Sequence, residues 1–438
     1  MRYKKKNSRN PFYIPAIRNK ILVILGIMVI TRILNQIPTP GVNTNYLKNF
    51  FESQANAMGF LNMMTGGSLS SLSILALNIT PYITASIVLE LLTILIKPLE
   101  EMKRDGKTGQ EKYKKVTLLT AVGLSAMQSI AMAVGFGKKG LLVNYTWYWV
   151  LIVAVIWTVC AGALSFVGNW MTDKKYGNGV SLILLCNILS SVVSDIYNVV
   201  EAIRVSHTLA VSIMYGCVAV AVFAGMTLFV IYMQTGKREL PVTNSKKAAR
   251  GSSSIPMNTS TIPIPVNASS VIPVIFASSL FSFPSMIGMF LNTYDGIFGK
   301  IIRCTSTSNW FVPGRMKYTV GWLLYVVLIL FFAEFYVEIS FNPIEIADNL
   351  KKQGSQVIGV RPGQDTVKYL EKRIRYTTLL GGLGMIVVVT VPMILSGMFG
   401  IGNISLMGTS LVIIVGVLIE TKDRFEADMK PYQVKKYF

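Results

Sequence analysis

Charge is scarce in this chain, and what there is leans one way. Only 14% of its 438 residues are charged, against roughly 25% in soluble domains, and 21 acidic residues face 42 lysines and arginines. With 52% hydrophobic residues and a mean hydropathy of +0.51, a water-soluble domain is excluded and a polytopic membrane protein is indicated. Histidine is almost missing: His207 stands alone between apolar runs, away from any cysteine or acidic cluster, and reads as a surface residue. The four cysteines, Cys160, Cys186, Cys217 and Cys304, are far apart and form no CxxC pair. That spacing excludes a disulfide framework and a thiolate metal site, and leaves small packing residues. Gly106-Lys107-Thr108 ends like a phosphate-binding loop, but no glycine lies five residues earlier and no buried strand precedes it. No nucleophile triad or metal-ligand set is recognisable, so neither an enzyme nor a cofactor is expected, and energy for any transport must come from outside.

Long apolar runs are what the chain does have. The first to organise the rest is 59–96, GFLNMMTGGSLSSLSILALNITPYITASIVLELLTILI. A bilayer core of ~30 Å needs about 20 apolar residues in a helix, so 80–96 nearly suffices and 59–79 is left over. That leftover piece carries Gly66, Gly67, Ser68, Ser70, Ser71 and Ser73 and meets the span at Asn78-Ile79-Thr80-Pro81. Pro81 lacks an amide hydrogen and breaks the helix there. Broken backbone at membrane depth survives only in protein or beside water, so a half-helix re-entering a polar vestibule is predicted, followed by a full span.

Ten candidate spans follow: 21–37, 80–96, 116–136, 147–170, 180–194, 209–233, 271–291, 320–341, 376–396 and 405–420. The chain divides into a basic arm (1–20), a first half with spans one to five (21–200), a second half with spans six to ten (209–420) and a tail (421–438). The arm resembles the charged part of a signal peptide, but the run after it is long and lacks a cleavage site, so a retained first span is expected. With both termini cytoplasmic, 33 of the 42 basic residues fall on the inner side, the orientation that the positive-inside rule selects. A multi-pass membrane protein is expected. The net charge of +21 thus belongs mainly to one face, suited to anionic lipids and also to RNA or an acidic protein surface. Two inner loops, 234–270 and 342–375, project more backbone than lipid contact requires, which favours a docking role. Arg32, with Asn35 and Gln36 near the outer end of the first span, is placed to snorkel toward the interface.

The two halves match in size, and the second span of each has a proline near its start with an asparagine upstream: Asn78 and Pro81, then Asn267 and Pro273. Five spans per half require inverted halves, with a path between spans two and seven. The symmetry alone would allow a secondary transporter with a midplane small-molecule site.

Seven motifs in register then resemble the SecY family of protein-conducting channels: IPTPGV (37–42), FLNMMTGGSLSSLSILALNITPYITASIV (60–88), YGNGVSLI (176–183), VNASSVIPVIFASSL (266–280), FNPIEIADNLKKQG (341–354), GVRPGQDTVKYL (359–370) and GTSLVIIVGVLIET (408–421). The resemblance implies an all-α fold of ten transmembrane helices in two inverted pseudo-symmetric halves, with a re-entrant half-helical plug over 59–79 that includes Gly66, Gly67, Ser68, Leu69 and Ser70. It maps a pore ring onto Ile79, Ile83, Val180, Leu184, Ile272 and Ile413. Ile79 with Ile83, and Val180 with Leu184, are i,i+4 pairs that share a helix face. It implies a lateral gate between spans two and seven, with spans three and eight beside it, and with Thr80, Pro81, Glu90, Asn267 and Pro273 on the seam. Lys246, Lys247, Arg250 and Arg361 would contact the SecA motor ATPase or the ribosome. SecE- and SecG-type small subunits, signal peptides and unfolded preproteins are the other implied partners.

Three departures stand out. Glu90 replaces the family's usual glutamine, and a carboxylate there should be neutral, paired or facing water. Glu334 and Glu338 replace apolar or small residues near the inner end of span eight, where headgroup-level or solvated carboxylates are expected. The loop 251–265 diverges from the family's more basic sequence. An accessory paralogue with few substrates therefore stays open beside the general channel.

Overall fold

Hydropathy finds the apolar middles of helices, and the helices run on past them. The computed structural model describes residues 15–43, 62–138, 140–143, 145–206, 209–244, 260–291, 296–312, 314, 316–399 and 407–434. Each predicted span coincides with a helix: α1 (Pro15–Leu34), α2 (Thr80–Leu95), α4 (Gly106–Lys138), α5 (Trp147–Asp173) and α6 (Gly179–Ser206), then α7 (Leu209–Thr235), α8 (Ile272–Leu291), α10 (Val320–Ser340), α12 (Gln364–Phe399) and α13 (Met407–Val434). Short helices α3 (Lys97–Arg104), α9 (Gly296–Thr305) and α11 (Pro343–Lys352) lie between them. Helix α4 starts ten residues before its predicted span and α12 twelve before, because charged residues that end a hydropathy window are good helix formers once in water.

Among the described residues, four helices are individually long and apolar enough to cross a membrane, and the bent pair α2 and α3 adds a fifth. Gly179–Val193, Val220–Thr235 and Ile272–Pro284 are shorter apolar helices. Helix α1 misses that standard because Arg18, Lys20 and Arg32 share its 20 residues, and α13 is apolar only over 407–419. The ten-span architecture fits these helices, and five long helices in each half leave the halves inverted.

Helix α2 begins where the backbone is prepared for it. Pro81 occupies its first turn, where the missing amide costs nothing, and so starts this helix cleanly. At the other end Ile96 is extended and Pro98 opens α3, which turns away by 111°.

The chain is not wholly helical. The two loops predicted over 234–270 and 342–375 meet in a three-stranded antiparallel sheet of order β2-β1-β3, formed by β1 (Lys237–Asn244), β2 (Ser260–Pro265) and β3 (Ser355–Val357). Leu240 pairs with Ile262, and Val242 with Val357. Leu240 and Ile264 pack on Val337, Leu370 and Ile374, so the sheet is seated on the ends of α10 and α12. Strands of three to eight residues with interspersed prolines carry no hydropathy signal, which is why this element escaped the sequence.

Two sets of contacts join the halves. On one side α6 packs against α13 and α7; on the other α4 packs against α8, with α2 backed onto α4. One continuous apolar cluster runs through both, from Ile24 in α1 to Val417 in α13.

Candidate functional site

The segment 62–79 is mostly buried, between the two main apolar clusters. It makes one helical turn at 62–65 and then a chain of turns, so its helical part is shorter than a half-helix over 59–79 would be. Residues 59–61 lie outside the described part. Gly66 and Gly67 have φ of +67° and +84°, and Leu72 and Asn78 also adopt the left-handed region. One side of the segment, Met63, Met64 and Leu75, belongs to the large cluster. The other side, Leu69, Leu72, Ala76 and Leu77, packs on Phe136, Val153 and Trp157.

Its serines serve the segment itself. Ser68 Oγ donates to the carbonyls of Thr65 and Leu75, both at 2.9 Å, and Ser70 Oγ donates to Gly67 O at 2.8 Å. The Ser70 amide donates to Asn62 Oδ1 at 3.0 Å. Much of its polarity is therefore satisfied within the segment.

A few named bonds tie it to its surroundings. The motif at 37–40 runs alongside it, with the Thr39 amide donating to Leu72 O and the Ile74 amide to Ile37 O, both at 3.0 Å. Trp157 Nε1 donates to Thr39 Oγ1 at 2.9 Å and to Ser73 O at 3.1 Å. Ser191 Oγ donates to Met63 O at 3.2 Å. Arg32 does not snorkel to the interface: its Nη1 donates to Gly66 O at 3.1 Å and its Nη2 to Ser190 Oγ. A guanidinium placed here gains two acceptors inside the protein, which outweighs reaching for headgroups. A closed ring of carboxamides was not foreseen. Asn35 Nδ2 donates to Asn187 Oδ1 (3.3 Å), Asn187 Nδ2 to Asn78 Oδ1 (2.9 Å) and Asn78 Nδ2 to Asn35 Oδ1 (3.3 Å). Its signal was Asn187 inside an otherwise apolar run, a cost in a membrane helix unless a partner awaits it.

The six mapped ring positions all belong to the large apolar cluster or pack against it. Ile79, Ile83, Leu184 and Ile413 are buried members of the same apolar cluster, and Val180 and Ile272 are half-buried against it. Ile79 precedes α2 and accepts from the Ile83 amide at 3.2 Å, so the expected i,i+4 pair is real. Val180 is brought in by a close helix crossing: a methyl on Gly179 would run into the Gly168 carbonyl of α5. A Cβ on Gly168 would touch Val180 Cγ2 at 3.2 Å and Ile79 Cδ1 at 3.5 Å, so both side chains lie over that glycine. Val271, next to Ile272, lies against Gly416 of α13, one turn from Ile413.

The seam residues separate into two kinds. Among the described residues Thr80 Oγ1 is buried without a hydrogen-bond partner, and Pro81 is buried beside it. Pro273 is buried in the first turn of α8. Asn267 spends its carboxamide locally, Nδ2 donating to Ser270 O at 3.0 Å and Oδ1 accepting from Ser269 Oγ at 3.2 Å. Glu90 is paired: Lys103 Nζ lies 3.2 Å from its Oε1, brought back by the sharp turn into α3. Of the three conditions open to a carboxylate there, pairing is the one adopted. Glu334 pairs with Arg375 Nε at 3.1 Å with its side chain 47% exposed, and Glu338 is exposed, both as expected near a helix end. Arg361 is exposed between Gly359 and Gly363, whose φ values are +81° and +109°, and its carbonyl accepts from Thr366 Oγ1 at 2.8 Å. Lys246, Lys247, Arg250 and His207 lie outside the described residues.

The SecY family model matches residues 73–422. The protein translocase subunit SecY of Staphylococcus epidermidis is 34% identical over 434 residues, covering 97% of each chain. Among solved structures, one described as a protein conducting channel superposes with a TM-score of 0.64 at 18% identity, over 94% of this chain and 92% of the other. Another, on the SecY plug domain that stabilises the closed state and maintains a membrane seal, gives 0.59 at 16% identity over the same shares. The family model spans most of the chain and the relative matches 97% of it: the chain belongs to the SecY family.

Proposed function

We propose that this protein is the central channel of a Sec translocase, passing unfolded secretory chains across the plasma membrane and releasing apolar segments sideways into lipid. What supports this reading is that Ile79, Ile83, Leu184 and Ile413 share one apolar cluster, with Val180 and Ile272 packed against it, and that this cluster is joined at Ile79 to a segment that satisfies much of its own hydrogen bonding. Aliphatic side chains from four elements make a neck that holds little water and yields to a passing chain without selecting a sequence. The segment 62–79 acts as the plug. A signal helix binding at the seam of α2, α4 and α8 shifts a closed-to-open equilibrium by its greater affinity for the open form. The transporter alternative needs polar groups free to bind a solute, whereas the Asn35, Asn78 and Asn187 carboxamides are engaged with one another.

Both termini face the cytoplasm in this reading, with the sheet and Arg361 on the same side. Arg361, with Lys246, Lys247 and Arg250, presents the basic docking surface for SecA or the ribosome, SecE- and SecG-type subunits cover part of the helical perimeter, and anionic lipids neutralise the rest of the basic face. Reconstituting the chain with such small subunits in vesicles, with SecA and ATP, tests the proposal. Protease-protected preprotein that depends on an intact signal sequence is expected. Vesicles that take up a small solute but never protect a preprotein would contradict it.

A further inference from the structure

The carboxamide ring joins three separate parts of the channel at one point. Asn35 follows the last turn of α1, Asn187 lies inside α6, and Asn78 is the joint between the plug segment and Ile79 of the neck. The three are 2%, 0% and 0% exposed. Each amide donates once around the ring, and Asn78 Oδ1 also accepts from the Ile79 amide at 2.9 Å while its Nδ2 reaches Thr65 O at 3.4 Å. Asn78 holds φ at +49°, a conformation that asparagine tolerates better than most residues. Nearby, Arg32 of α1 donates to Gly66 O of the plug segment through Nη1 and to Ser190 Oγ of α6 through Nη2.

We propose that Asn35, Asn78 and Asn187 form a latch that sets how strong a signal sequence must be to open this channel. The inference rests on the channel reading above. Moving the plug carries Asn78 away and leaves Asn187 Nδ2 and Asn35 Oδ1 without their ring partner, which is costly while the neck is dry and cheap once water enters. The ring therefore ties plug release to wetting of the neck, and the signal helix must supply the difference. Hydrogen bonds of this kind between membrane helices have modest individual strength, so a latch of several bonds can be overcome by one bound helix.

The test uses the full chain in membranes, with its native cysteines replaced and a single cysteine at Leu69, which is 3% exposed on the plug. Labelling by a water-soluble maleimide reads plug release without any transport assay. Asn78→Gly, which keeps the left-handed backbone, and Asn187→Ala should each label about three- to tenfold faster than the parent, and so should Asn35→Ala. Because either change opens the same ring, the double variant Asn78→Gly/Asn187→Ala should label no faster than the faster single. The same single variants, made in the otherwise native chain, should export a reporter with a shortened apolar signal core several times better than the native protein does. Parent-like labelling in all three single variants, or rates that multiply in the double, overturns the latch. Loss of signal-dependent preprotein transport by the native protein would overturn the channel reading instead, and the labelling rates would still decide whether the ring holds the segment.

Discussion

Gly66→Ala is the sharpest perturbation that the plug offers. The residue sits at φ +67°, where an L side chain costs roughly 1–2 kcal/mol. There is also no room: a Cβ would lie 2.6 Å from Arg32 Nη1, 2.9 Å from Asn187 Cα and 3.0 Å from Asn187 Cβ. The neighbours that must give are one guanidinium and one piece of helical backbone. The guanidinium can move only by giving up its bond to Gly66 O, a charge-assisted bond worth about 1.5–3 kcal/mol where water is excluded. Together these destabilise the seated plug by about 2.5–5 kcal/mol, or roughly 70- to 5,000-fold in the closed-to-open ratio. Gly67→Ala is the control, because Gly67 has φ +84° but nothing within 4 Å of its added Cβ, so only the backbone cost of roughly 1–2 kcal/mol applies. Single-channel recording of the purified resting channel in planar bilayers reads the difference. Gly66→Ala should open spontaneously far more often than Gly67→Ala, and Gly67→Ala more often than the parent. Equal resting conductance in all three, at equal protein incorporation, would refute the reasoning from this seat.

Other expectations follow from single contacts. Glu90→Gln and Lys103→Gln remove the same half-exposed ion pair, worth about 0.2–1 kcal/mol, so each should shift signal-sequence selectivity slightly and the double variant no further; an export assay with graded signal sequences measures this, and additive shifts would separate the two residues. Gly179→Ala forces apart the α5 and α6 crossing beneath Val180 and should lower the folded protein recovered from membranes, whereas Gly162→Ala, which meets only Val122 Cγ2 at 3.4 Å, should be recovered normally. Arg361→Glu, at an exposed turn, should abolish SecA-driven transport while leaving channel assembly intact; normal transport by that variant refutes its docking role.

Much of this architecture is legible in the sequence because the membrane imposes a simple code. Helix α2 was bounded to within a residue, since Pro81 and Pro98 are physical stops as well as hydropathy edges. The ring positions came from the family motifs; spacing alone could have paired Ile79 with Ile83 but not with Ile413, more than 300 residues away. What escaped were interactions that no periodicity encodes. Arg32 reads as an interfacial arginine until the plug carbonyl that it holds is in place. Asn35, Asn78 and Asn187 are unremarkable one at a time, and acquire meaning only when the end of α1, the plug segment and α6 bring their carboxamides within hydrogen-bonding distance. Asn267, marked by symmetry as the counterpart of Asn78, turned out to cap its own turn, because no second asparagine faces it across that seam among the described residues.

The central claim is that a secretory chain passes through the aliphatic ring. Its most direct test is to stall a preprotein in transit and to ask which single cysteines it crosslinks. Cysteines at Ile83 and Ile272, in the apolar cluster, should crosslink the stalled chain strongly, and a cysteine at Leu119, 76% exposed on the outer face of α4, should not. Equal crosslinking at all three, or none at Ile83 and Ile272 while the chain is demonstrably held, would contradict the account.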